Sequence, residues 1–232
     1  MLPDVTIVTT TWFPEEHAKE RFSSAVEAIS SWSRNCKYEG ELRLHIADDG
    51  SIGGEVLCET LGNMWGRDSW SKSYQERRGV GASLNAGFKQ AFLRSALALY
   101  IVDDWKLTQP LDITPWVRLL LADESIGMVR LGIAHPDLTG QVKYVSETGE
   151  YYLRLDRHHF AFAHRPALYH KRFLDAYGPF AERVNAFECE RLYNERFAQQ
   201  PGPDIALALL HSWRHISDIE LADVEPAAEV RA

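Results

Sequence analysis

Apolar residues along the chain come in short β-branched runs separated by stretches with a period near 3.6, the pattern of strands alternating with helices. Val5–Thr9 (VTIVT) is continuous and β-branched, as a strand buried on both faces of a parallel sheet is. From Glu15 to Trp32 the period changes: Phe22, Ala25, Val26, Ile29 and Trp32 share one helical face. Pro14 and the acids Glu15 and Glu16 suit its first turn. Leu42–Ala47 is a second buried run, ending in Asp48-Asp49-Gly50-Ser51. Residues 52–70 have no clear period, and SKSYQE (71–76) reads as a short edge strand. Gly79–Ser95 predicts a helix burying Leu84, Phe88, Ala91 and Phe92, and Leu97–Val102 predicts a third strand that ends in Asp103-Asp104. A helix over Pro115–Leu121 and a strand over IGMVRLG follow.

Beyond residue 135 the pattern weakens. VKYVS and EYYLRLD predict a hairpin, and 164–180 a loop running into a short helix stopped by Gly178-Pro179. Residues 187–202 predict a helix ended by Pro201 and Gly202, and 205–215 a final strand. These elements predict an α/β fold with a mainly parallel central sheet flanked by helices, one domain over 1–220 and a loose tail over 221–232.

Composition narrows the class. The 232 residues are 45% hydrophobic and 25% charged, an ordinary globular balance. The formal charge of −8 weighs against nucleic acid and anionic membrane as partners. Three cysteines without CxxC spacing argue against a disulfide framework and a zinc site. The N-terminus lacks a basic-then-apolar layout, and no apolar run approaches the about 20 residues of a membrane span. The expectation is a cytoplasmic protein.

The chemistry gathers at strand ends. In open α/β sheets ligands bind beyond the carboxyl ends of parallel strands. Here those ends carry Thr9-Thr10-Thr11-Trp12, Asp48-Asp49-Gly50-Ser51 and Asp103-Asp104-Trp105. Carboxylates converging on one edge repel unless a cation or donor offsets them, and a divalent metal with a phosphate ligand would do so. No GxGxxG follows the first strand and no GxxxxGK[ST] occurs, so neither a dinucleotide fingerprint nor a P-loop is present.

In order along the chain, VTIVTTTWFPEEHAKERFSSAVEAI, LHIADDGS, RGVGASLNAGFKQA, LYIVDDW, HRPALYHKRFLDAYGPF and FECERLYNERF resemble the successive motifs of the family 2 glycosyltransferases. The resemblance runs from about Val5 to about His215. It implies a GT-A fold, with a nucleotide-binding half over 1–107 and an acceptor-binding half over 108–220. It implies a metal-dependent inverting transferase that moves one sugar from a nucleotide-diphosphate sugar to an acceptor hydroxyl. By the family pattern Thr10, Thr11, Trp12, Asp49, Arg78, Asn85 and Asp103 face the nucleotide sugar. Asp104 holds Mg²⁺ or Mn²⁺, with His215 or His211 after the last strand as a further ligand. Glu190, six residues before Arg196, is the expected base, with Glu188 as its rival. Val102 stands where many members carry the first acid of the metal motif, and Cys189 where an acid precedes the base. Those departures keep a non-catalytic nucleotide-sugar-binding relative open. A sugar-nucleotide nucleotidyltransferase is the other alternative, although TTTWFPEE is neither glycine-rich nor basic. His158, His159 and His164 either touch the acceptor or edge a strand.

Overall fold

A nine-stranded sheet carries helices on both faces. The computed structural model describes residues 1–66, 69–131, 138–145, 149–157, 161–208 and 213–216, with main chain alone at 214 and 215. β1 (Val5–Thr11) leads through one 3-10 turn into α1 (Ala18–Asn35), β2 (Cys36–Lys37), β3 (Leu42–Asp48) and α2 (Gly54–Met64). β4 (Trp70–Tyr74), α3 (Val80–Ala91), β5 (Leu97–Tyr100), β6 (Trp105–Leu107), β7 (Leu111–Asp112) and α4 (Thr114–Ala122) follow. The second half comprises β8 (Ile126–Arg130), β9 (Gly140–Val145), β10 (Glu150–Leu155), β11 (Ala167–His170), α5 (Lys171–Tyr177), α6 (Ala186–Gln199), β12 (Asp204–Ala208) and β13 (Trp213–His215).

The sheet order is β4-β3-β1-β5-β11-β8-β12-β10-β9. β4, β3, β1 and β5 are mutually parallel. The expectation of a mainly parallel sheet is corrected beyond them. β11 inserts antiparallel between β5 and β8, and β10 pairs antiparallel with both β12 and β9, so the sheet is mixed. β11 is four residues in a segment expected to be loop, too short to show a period. β5 stops at Tyr100 rather than Val102, and the unassigned stretch after Ser51 holds α2. The expected last strand is two: β12 in the main sheet and β13 paired with β6. The expected tail, 221–232, lies outside the described residues.

Alternation along β1 splits the core. Val5 and Ile7 pack with Trp32, Leu61 and Trp116 of α1, α2 and α4, while Val8 packs on the other face with Phe88, Phe173 and Tyr193 of α3, α5 and α6. Cys36, Cys58 and Cys189 are free and buried. Among the described residues no helix is long and apolar enough to cross a membrane.

Candidate functional site

The carboxyl ends of β1, β3 and β5 open into a cleft of about 340 Å³, lined among others by Thr10, Thr11, Trp12, Asp49 and Asp103. The two acids after β3 have separate roles. Asp48 is fully buried and accepts hydrogen bonds from the Thr11 hydroxyl (2.9 Å), the Ser51 hydroxyl (2.6 Å) and the Gly50 and Ser51 amides. It closes the turn. Asp49 reaches across to the loop before α3, where it accepts from the Arg78 amide (2.8 Å), the Gly79 amide (2.9 and 3.1 Å) and the Gln75 side chain. Gly79 has φ +88°, a conformation costly for other residues, which turns its amide to Asp49.

The loop and α3 position other expected residues differently. The Arg78 side chain turns outward to Glu182, so its contribution to the cleft is its main chain. Asn85 clamps α3 to the next wall: it accepts from the Phe180 amide (2.8 Å) and donates to the Phe180 carbonyl and to Glu182 (both 3.1 Å). That clamp holds the loop whose end, Val184–Ala186, lines the cleft. Arg77, which sequence reasoning did not place here, lays its guanidinium over the Trp12 ring at 3.6 Å.

Asp103 is 1% exposed, and its carboxylate accepts two hydrogen bonds from Nη2 of Arg21, at 3.0 and 3.2 Å. Burial pushes its pKa up to about 7, with the Asp104 charge adding and Arg21 opposing. Arg21 comes from the second turn of α1, and nothing in its spacing marks it; only the tertiary fold brings it to this edge. The Asp104 carboxylate retains 22% exposure and lies 3.9 Å from Nη1 of Arg21. β13 is the neighbouring main chain: His215 pairs with Trp105, and the Ile216 amide donates to the Asp104 carbonyl at 2.9 Å. The His215 side chain and all of His158, His159 and His211 lie outside the described residues.

Glu190 and Glu188 separate clearly. Glu188 sits on the solvent side of α6, held by two hydrogen bonds from Arg191 that lower its pKa. Glu190 points inward and accepts the His164 amide; burial raises its pKa, opposed by that hydrogen bond and by Arg165 and Arg130. The buried Tyr100 hydroxyl, 3.3 Å from that of Thr10, is raised well above its usual range by burial, with Asp103, Asp104 and Glu190 all adding.

A divalent cation fits this donor set in one way. Among the described residues no three acid, histidine or cysteine side chains converge. Asp103 is committed to Arg21, and the Asp104 carboxylate beside it is partly exposed at the same strand end. One or two carboxylates completed by substrate phosphates is the manner in which Mg²⁺-like hard cations bind.

The chain superposes on S. aureus TarS 1–349 in complex with UDP at a TM-score of 0.60 and 13% identity, covering 90% of this chain and 59% of that one. GalNAc-T7 with UDP, GalNAc and Mn²⁺ gives 0.64 and 13%, over 92% and 44%. The GT-A fold is the fold of this chain. The mannosyltransferase PcManGT from Pyrobaculum calidifontis, in complex with GDP-Man and Mn²⁺, shares it at 0.51 and 15%, over 91% and 58%. The chain spans about three fifths of the TarS fragment. No protein-family model and no curated protein matches it in sequence. In the GT-A frame the cleft lies where strand order places a ligand, beyond the parallel strands.

Proposed function

We propose that the protein is an inverting glycosyltransferase of the family 2 type, taking one sugar from a nucleotide-diphosphate sugar to an acceptor hydroxyl. The observation that carries this reading is the half-buried Glu190 carboxylate, which accepts the His164 amide and adds its charge to those of Asp103 and Asp104 at the Tyr100 hydroxyl. The nucleotide-binding half is 1–107 and the acceptor half 108–220. The similar folds crystallised with UDP, UDP-GlcNAc or GDP-Man support a nucleotide-sugar donor.

In this reading Trp12 and Asp49 hold the nucleoside: the indole offers a stacking surface, and the carboxylate, fixed by main-chain amides, accepts an N–H. Thr10 and Thr11 supply the cleft's hydroxyl wall. Asp104, with a contribution from the His215 strand, would hold Mg²⁺ or Mn²⁺, which when bound stabilises charge on the leaving diphosphate. Glu190 removes the acceptor hydroxyl's proton as that oxygen attacks the anomeric carbon. Its raised pKa strengthens it as a base, and the His164 amide fixes one oxygen and leaves the other to work. Displacement from the opposite face inverts the anomeric centre.

The test is calorimetric binding of UDP, GDP and dTDP with Mn²⁺, followed by transfer or hydrolysis of the matching sugar nucleotides. Binding of one nucleotide with release of its diphosphate form is expected. Binding of none overturns the reading.

A further inference from the structure

We infer that Arg21 binds the donor's diphosphate directly, as a cation built into the chain, so that part of nucleotide binding persists without any divalent metal. The inference rests on the donor reading above and extends it to a residue to which the motif resemblance gave no role.

Two adjacent carboxylates at the end of a buried strand need positive charge nearby. In this chain a guanidinium provides some of it permanently. Arg21 spends Nη2 on both oxygens of Asp103. Its Nη1 and Nε hydrogens find no acceptor within hydrogen-bond distance among the described residues; Asp104, at 3.9 Å from Nη1, is too far. The ion pair is also lopsided in exposure. The Asp103 side chain is 2% exposed, and the Arg21 side chain 38%. One edge of the fork is therefore anchored and the rest is open in a cleft that Arg21 itself lines beside Thr10, Thr11 and Trp12.

Anchoring matters for affinity. A free arginine loses rotamer entropy when it closes on a ligand; one held by a buried carboxylate has already lost it. The planar fork with spare N–H groups matches the oxygen spacing of a phosphate. A nucleoside without phosphate offers that fork nothing. Asp103, spent on Arg21, acts here as the anchor of the fork.

The experiment measures Kd for UDP, GDP and dTDP, and for the parent nucleosides, in EDTA and in Mn²⁺. Removing Arg21 alone would strand the buried Asp103 charge, so the comparison is Asp103→Asn against the double variant Arg21→Gln/Asp103→Asn, with thermal unfolding of both. Wild type is expected to bind one of the nucleotides in EDTA, more weakly than in Mn²⁺. In EDTA the double variant should bind that nucleotide at least about tenfold more weakly than Asp103→Asn, with nucleoside binding unchanged. If both variants bind it equally, or nucleotide and nucleoside weaken alike, Arg21 is structural and the inference falls. If wild type binds in Mn²⁺ and not in EDTA, the inference falls while the donor reading stands. If nothing binds in either medium, the donor reading itself is wrong and takes this inference with it.

Discussion

Asp48 and Asp49 are neighbours of one kind with divergent duties, and the difference lies in what donates to them. Asp48 is saturated by the Thr11 and Ser51 hydroxyls and the turn's own amides, so it builds the loop. Asp49 is held from across the cleft by main-chain amides while lining the cavity. The same logic separates Glu190 from Glu188. Glu188 is neutralised in solvent by Arg191, whereas Glu190 is half-buried and its pKa raised. Glu190→Gln should therefore lower kcat by about 10²–10⁴-fold with little change in donor Kd, and Glu188→Gln should stay within a few-fold of wild type. A base must be unprotonated, so the raised pKa places the acid limb of the rate profile above the ordinary glutamate range; the limb should vanish in Glu190→Gln. Ionising a carboxyl whose folded-state pKa is raised costs folded-state stability above that pKa. Glu190→Gln at pH 8 should accordingly unfold no earlier than wild type, and an early melt would show that the activity loss came from unfolding.

At the scale of elements, α3 and the loop at 178–185 form one wall of the cleft by touching backbone to backbone. A Cβ on Gly81 would sit 1.9 Å from the Ala181 carbonyl oxygen, a main-chain clash that no side-chain rotation relieves. Gly81→Ala should destabilise by about 1–3 kcal/mol, as overpacking does, and push Val184–Ala186 out of place. A urea series with a nucleotide titration checks it: falling stability and falling affinity together are expected, and unchanged values for both would refute this account of the wall. The elements that line the cleft were also the readable ones. β1, β3 and α1 carry clear apolar periods and β5 lies in the unbroken apolar run LALYIV, so the strand ends were legible, and Thr10–Trp12, Asp49 and Asp103 line the cleft there. β11 was missed because ALYH is four residues flanked by polar and basic ones. α2 was missed because Gly53-Gly54 obscures its start, Gly53 sitting left-handed at the N-cap position. Arg21 and Arg77 were illegible for another reason: which cation meets a buried acid or an indole depends on how helix and loop pack, and no local period encodes that.

Across the whole molecule, burial pushes acids and histidines in opposite directions, and pH dependence of stability is their sum. His45 is 1% exposed, hydrogen-bonded at both ring nitrogens to Ser71 and Ser73, and its pKa is lowered to about 4 by burial; His164 is lowered to about 4 for the same reason. Below pH 6.5 each histidine takes a proton in the unfolded chain before it does so in the fold, which drains stability as pH falls toward 4. Asp103, raised to about 7, and Glu190, also raised, protonate first in the fold, which adds stability over much of the same window. The two effects offset, so wild type should show a shallow profile between pH 7 and 5 rather than the steep acid loss that two buried histidines alone would give. Removing one histidine unmasks the balance. In His45→Gln the side chain still hydrogen-bonds to serine but cannot titrate, so its unfolding free energy relative to wild type should rise as pH falls from 6.5 toward 4. One proton's difference is worth about 1.4 kcal/mol per pH unit, the ceiling for that slope. Urea unfolding of both proteins at pH 7, 6 and 5 measures it directly, and a pH-independent difference would mean that His45 is not held neutral by the sheet.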